Sequence, residues 1–74
     1  MSEGVFEEFV HPTQASRVRL RVFAEASGGF LVLEEWLGTS PVRHTLGLFD
    51  SRDSAAARVR ARETQLLAQR YQRV

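Results

Sequence analysis

Alternation of apolar and polar positions predicts four β-strands in the first 49 residues. The clearest is "RVRLRVFAE", in which Val18, Leu20 and Val22 alternate with arginines. Three further segments are rich in β-branched, aromatic and aliphatic residues: "VFEEFV", "FLVLEEWL" and "VRHTLGLF". Pro12, a Ser-Gly-Gly turn and a Gly-Thr-Ser-Pro turn separate these segments. We therefore predict strands over residues 5–10, 17–25, 30–37 and 42–49.

The remainder of the chain predicts one amphipathic helix. Asp50, Ser51 and Asp53 are each suitable as its N-cap, and acidic residues are favourable near a helix N-terminus. An apolar stripe at helical spacing follows, made of Ala56, Val59, Leu66, Leu67 and Val74, with Tyr71 on its edge. The predicted fold class is α+β. It is a single small domain over residues 1–74, in which a C-terminal helix packs across one face of a four-stranded antiparallel sheet (ββββα).

The lengths of the two turns predict which face of the sheet carries Trp36. Closing the first hairpin at residues 27–28 places Arg19 opposite Trp36, and closing it one residue later places Arg21 there. A four-residue second turn places Arg43 opposite Trp36. Both registers put Trp36 on the face away from the helix. The predicted core face carries Val18, Leu20, Val22, Ala24, Leu31, Leu33, Leu37, Val42, Leu46 and Leu48, with Glu35 facing His44.

The predicted face that carries Trp36 supports two interpretations. In the structural one, the arginines form cation–π pairs with the indole, Arg21 pairs with Glu34 across the hairpin, and the N-terminal strand covers nearby phenylalanines. In the functional one, an exposed aromatic ring among arginines contacts the sugar, base or phosphate of a nucleic acid. The candidate nucleic-acid-binding residues are Trp36, Arg19, Arg21 and Arg43.

Charge and composition limit the classes of function. The net charge is only +1, but all ten basic residues are arginine, which suits bidentate contacts to phosphate. The chain has no cysteine, so disulfides and thiolate metal sites are excluded. The acidic N-terminus lacks the pattern of a signal peptide, and no uncharged apolar stretch approaches the roughly 20 residues that span a bilayer. We expect a cytoplasmic protein that does not contact membranes.

The residues do not favour an enzyme. Glu34 and Glu35 are adjacent on a predicted strand and so face opposite sides of the sheet, which argues against a carboxylate pair. A contact between His44 and Glu35 is more typical of a hydrogen bond at a sheet edge than of a catalytic dyad. Two isolated histidines without cysteine have no zinc-site spacing. We expect a non-enzymatic protein without a cofactor or metal.

Three sequence features occur together in a known family. They are "VRLRVF" followed by a glycine turn and "FLVLEEW", then "FDSRDSA" at the helix start, and lastly Tyr71 followed by Arg73. In these features the chain resembles a WGR domain, a module of DNA-dependent poly(ADP-ribose) polymerases and of small bacterial proteins. The resemblance implies that Trp36 matches the family's tryptophan, which packs against DNA near a strand end. The chain departs from the family at residues 37–39, which replace Gly-Arg, and at Arg70, which replaces a glycine.

These observations predict a non-enzymatic, WGR-like module that binds nucleic acid, with DNA favoured by the resemblance. The alternative is a protein-interaction module or small regulator, which could act as a homodimer. In that alternative the arginines form a rim around an interface core of Phe23, Phe30, Trp36 and Phe49. A steep salt dependence of binding is expected of the first function, and association without nucleic acid is expected of the second.

Overall fold

The computed structural model describes residues 6–38 and 40–74, so the predicted strand start at residue 5 and the turn residue Thr39 lie outside the described part. It confirms the α+β class and the single C-terminal helix. The elements are β1 (Phe6–Val10), β2 (Arg17–Ala24), β3 (Phe30–Leu37), β4 (Val42–Phe49), α1 (Arg52–Ala68) and β5 (Gln72–Arg73). No helix among the described residues is long and apolar enough to span a membrane.

The sheet has five antiparallel strands in the order β4-β3-β2-β1-β5. The fifth, short strand is an addition to the predicted topology. It forms because the chain turns sharply at Arg70, where φ is 74°, and returns alongside β1. The helix therefore ends at Ala68, and the prediction that its apolar stripe continues to Val74 is wrong.

Helix α1 begins as its sequence suggests. Ser51 is the N-cap, and its Oγ accepts a hydrogen bond from the backbone N–H of Ser54 at 3.1 Å. Of the predicted apolar stripe, Val59 and Leu66 are buried, whereas Leu67 is exposed. The helix packs over β3 and β4. The core between helix and sheet consists of Phe9, Val18, Leu20, Val22, Val32, Ala55, Val59, Leu66 and Tyr71.

The register of the β2–β3 hairpin differs by one residue from the nearer of the two predicted registers. The backbone N–H of Gly28 donates to the carbonyl of Glu25 at 2.9 Å, and the N–H of Glu25 donates to the carbonyl of Gly29 at 2.7 Å. The loop therefore has three residues, 26–28, with Gly28 at φ 102°. Because side chains alternate between faces, this one-residue difference moves every side chain of β3 to the other face. Val18, not Arg19 or Arg21, lies opposite Trp36.

A β-bulge changes the register of β3 with β4. Val32 pairs with Gly47, but the next pair is Leu33 with Thr45, so Leu46 is the extra residue. Without this bulge, the register that pairs Phe30 with Phe49 would continue along both strands and would place Arg43 opposite Trp36, as predicted. With it, Val42 lies opposite Trp36 and Arg43 lies opposite Glu35.

The two faces of the sheet are named here by their relation to the helix: the inner face packs against α1, and the outer face points away from it. Trp36 and Glu34 lie on the inner face, while Glu35 lies on the outer face. The predicted contacts of Glu35 with His44 and of Arg21 with Glu34 are therefore wrong. Four leucines predicted to lie in the core are on the outer face: Leu31, Leu33, Leu37 and Leu48. Four apolar residues predicted to face outward are on the inner face: Phe30, Val32, Trp36 and Phe49.

Candidate functional site

Four arginines gather on the outer face and are called the arginine cluster: Arg17, Arg19, Arg21 and Arg43. Three of them alternate along β2, so the pleat directs them to the same side, and the fourth comes from β4. Glu35 on β3 lies between these strands. Its Oε2 is 3.2 Å from Arg43 Nε, and its Oε1 is 3.6 Å from Arg21 Nη1 and 3.8 Å from Arg19 Nη1. Glu35 is therefore the hub of the cluster.

The Glu35 side chain is only 8% exposed, although the face around it is open. A carboxylate removed from water needs compensating charges, and the three guanidinium groups supply them. Arg43 is 69% exposed even while it contacts Glu35. A guanidinium has five N–H donors, so Arg43 can hold Glu35 and still present donors to a ligand. Glu35 thus attracts three guanidinium groups to one place on the outer face, and Arg43 retains donors for a ligand.

A second carboxylate, from β1, borders the arginine cluster. Glu8 Oε2 is 2.7 Å from Arg17 Nε, and Glu8 Oε1 is 3.7 Å from Arg19 Nη2. Four arginines thus face two glutamates, which leaves a local charge of +2. This excess is larger than the +1 of the whole chain. Charge on this protein is therefore segregated toward one end of one face.

The outer face has an apolar half toward the β2–β3 hairpin. Leu31 lies opposite both Phe23 and Leu48, and Leu48 is 66% exposed. The Arg21 guanidinium lies 4.4 Å from the centroid of the Phe23 ring, which joins the apolar half to the arginine cluster. Near the other end of the strands, a shallow concavity of about 500 Å³ is lined by Arg19, Arg21, Glu35, Leu37, Pro41, Val42 and Arg43.

Trp36 does not belong to this surface. It is half-buried on the inner face and packs against the core. Its ring meets that of Tyr71 edge to face, with centroids 6.0 Å apart, and Tyr71 meets His11 in the same way at 5.1 Å. The structure therefore brings together three of the four predicted site residues, Arg19, Arg21 and Arg43, and separates Trp36 from them.

Sequence reasoning missed three members of the outer surface. Arg17 carries the same alternation signal as Arg19 and Arg21, so it could have been included from the pattern alone. Glu8 and Glu35 could not, because their contacts depend on the pairing of β1, β2 and β3. Within residues 6–38 and 40–74, no group of three or more His, Cys, Asp or Glu side chains is arranged to hold a metal ion.

Comparisons with protein-family models, curated proteins and solved structures give no match. The resemblance to WGR domains therefore rests on the sequence features alone, namely Trp36 at the end of β3, the residues at the helix start, and Tyr71. The functional argument rests on the geometry of the outer face.

Proposed function

We propose that this chain is a non-enzymatic module that binds nucleic acid through the arginine cluster of its outer face. The observation that carries the proposal is the convergence of Arg19, Arg21 and Arg43 on the buried carboxylate of Glu35, with Arg17 beside them on Glu8. Guanidinium groups held in place match the geometry of phosphate oxygens and lose little freedom when they bind. The resemblance to WGR domains favours DNA over RNA as the ligand.

The charge of the cluster sets the expected binding behaviour. A local charge of +2 supports weak to moderate affinity for nucleic acid, and most of that affinity would come from contacts with phosphates. Three phosphate contacts would make the logarithm of the binding constant fall with the logarithm of salt concentration at a slope of about −3. Arg43 and Arg17 are the most exposed members of the cluster, so they should make the strongest contacts.

Fluorescence anisotropy of a labelled DNA duplex with a free end, titrated with protein across a salt series, tests this proposal. We expect Arg43→Gln to weaken binding and to reduce the salt slope by about one. The matched control is Arg60→Gln, which removes the same charge from an exposed position on α1. An equal loss of affinity in both variants would mean that only net charge matters. Absence of binding at low salt would refute the proposal.

The role of Trp36 needs its own variant, because the resemblance predicts a DNA contact while its packing predicts a structural role. Trp36→Phe keeps an aromatic ring beside Tyr71. If the folded variant loses affinity at unchanged stability, Trp36 contacts the nucleic acid from the end of β3. If affinity is unchanged while stability falls, Trp36 is a packing residue and the arginine cluster acts alone.

A second candidate function, binding of a protein, is favoured by the exposed apolar half beside the arginines. Such a surface suits a partner that offers aliphatic side chains next to carboxylates. It suits a second copy of this chain poorly. A two-fold axis parallel to the strands would set arginines against arginines, and one perpendicular to them would set arginines against leucines. Sedimentation over a range of concentrations should therefore show a monomer, and a dimer would revive the homodimer alternative.

A further inference from the structure

On the inner face, two carboxyl groups, one from β1 and one from helix α1, line the same cavity. Glu7 projects from β1, Glu63 projects from α1, and their side chains are in hydrogen-bonding contact. Both line a cavity of about 340 Å³ together with Ala56, Val59, Arg60 and Arg73. Glu7 Oε1 is buried and receives no hydrogen bond from any N–H or O–H donor of the described residues. A proton on one of the two carboxyl groups would supply the donor that this pair of acceptors lacks.

The surrounding groups decide which carboxyl carries the proton. From β5, Arg73 Nη2 lies 2.8 Å from Glu63 Oε1 and stabilises Glu63 as the anion. From α1, the positive charge of Arg60 acts on Glu63 in the same direction. On β2, the residue opposite Glu7 is the apolar Leu20. On β3, the residue opposite Leu20 is Glu34, whose charge is already paired with Arg62. Of the two carboxyl groups, Glu7 is therefore the one that carries the proton.

We propose that Glu7 and Glu63 form a pH-sensitive latch. In this latch one shared proton joins β1 to helix α1, and loss of that proton weakens the junction. The protonated Glu7 donates to the Glu63 carboxylate while Arg73 holds Glu63 from the other side. When Glu7 ionises, its proton goes to solvent and two carboxylates are left in contact inside a partly closed cavity. Repulsion between them then opposes the packing of β1 and β5 against α1.

The direction of the pH effect follows from the two carboxyl groups. The hydrogen bond with Glu63, assisted by burial, raises the pKa of Glu7 from 4.5 to about 7. The same bond and Arg73 lower the pKa of Glu63. A raised pKa means that the folded protein binds the proton more tightly than the unfolded chain does. The stabilisation from Glu7 is therefore complete below its ordinary pKa and is lost as pH rises to about 7.

Thermal unfolding as a function of pH, compared between the wild type and Glu7→Gln, tests the latch. Glutamine keeps a hydrogen-bond donor toward Glu63 but cannot ionise. We expect the unfolding midpoint of the wild type, relative to that of the variant, to fall by about 5 °C between about pH 5 and about pH 8. The control is Glu25→Gln in the exposed hairpin, which should follow the wild type at every pH. A difference between the wild type and Glu7→Gln that is independent of pH would overturn the proposal.

A measurement on the wild type covers the case in which Glu7→Gln does not fold. Carbon-13 NMR of the side-chain carboxyl groups should show Glu7 titrating near pH 7, with a smaller simultaneous shift at Glu63. Titration of every glutamate below about pH 5.5 would overturn the latch.

Discussion

At the residue scale, Arg70 holds a conformation that usually belongs to glycine. Its φ of 74° lies in the left-handed region. The N–H of Arg70 donates to the carbonyl of Leu67 at 3.1 Å, and that of Tyr71 donates to Leu66 at 3.0 Å. These two bonds form a Schellman motif that ends the helix. The motif brings Tyr71 into the buried core and directs the chain into β5, so the strain at Arg70 is offset by this packing.

We predict that Arg70→Gly stabilises the protein by about 1 kcal/mol, because glycine adopts positive φ without the clash of a Cβ atom. Urea unfolding measures this change. Arg70→Ala is the matched control, since it removes the same charged side chain but keeps the Cβ atom, and it should give no comparable gain. Equal stabilisation by alanine and glycine would show that the guanidinium, not the backbone, is unfavourable at this position.

Trp36 shows how little residue type says about residue role. Tryptophan near arginines is consistent both with a ligand contact and with packing, and only the neighbours of the ring distinguish them. Those neighbours are Val18 and Val42 on adjacent strands and Tyr71 beyond the helix. Tyr71 approaches Trp36 only because the chain reverses at Arg70. No local sequence pattern contains that information.

At the element scale, one ion pair connects helix α1 to the middle of the sheet. Arg62 Nε donates to Glu34 Oε2 at 2.7 Å, and Glu34 is only 4% exposed. Arg62 also donates from Nη1 to Gln65 Oε1 at 2.9 Å, which holds the guanidinium in place. A buried carboxylate on the inner face is tolerated because the helix supplies its partner.

We predict that Arg62→Met destabilises the protein by about 3 kcal/mol, because it leaves the Glu34 charge buried without compensation. Replacing both residues, as Glu34→Leu with Arg62→Met, should recover most of that loss, and chemical unfolding of the three variants measures the coupling. Arg17→Met makes the same chemical change at a side chain that is 52% exposed, and Arg19 remains 3.7 Å from its partner Glu8, so the loss should be less than about 1 kcal/mol. Similar losses at Arg62 and Arg17 would contradict this account.

Most of the elements could be predicted from the sequence, but the pairing of the strands could not. The Ser-Gly-Gly turn is compatible with loops of two or three residues, and the sequence of β3 does not favour either of the two resulting registers. One side of β3 offers Phe30, Val32 and Trp36 with one glutamate, and the other offers three leucines with the second glutamate. The two sides are almost equally apolar, so the alternation that defines a core face is absent from this strand.

At the scale of the whole molecule, the protein is one sheet with a helix on a single side. The inner face contains the buried core, and the outer face carries the arginine cluster and the apolar half without cover from any other described element. An amphipathic strand such as β2 fits this arrangement, because its buried residues Val18, Leu20 and Val22 alternate with its arginines. Substitutions on the two faces should therefore have different consequences.

We predict that Leu20→Ala costs about 3 kcal/mol of unfolding free energy, because it leaves a cavity at a fully buried position. Leu48→Ala deletes the same atoms from the outer face and should change stability by less than about 0.5 kcal/mol. Denaturant unfolding of both variants compares the faces directly. A large loss from Leu48→Ala would mean that the outer face is covered in the free protein.

Local sequence patterns alone specify the α+β class, the positions of the four long strands, a helix start within residues 50–53 and the burial of the apolar residues of β2. These features depend on local propensity and on the alternation of apolar and polar residues, and both are properties of a single segment. The three-residue loop, the bulge at Leu46 and the reversal at Arg70 depend on contacts between distant segments, and they set the faces of Trp36, Glu34 and Glu35. A shift of one residue inverts the faces of a strand, and the choice depends on which side of β3 packs better against a helix that begins only after β4, at Arg52.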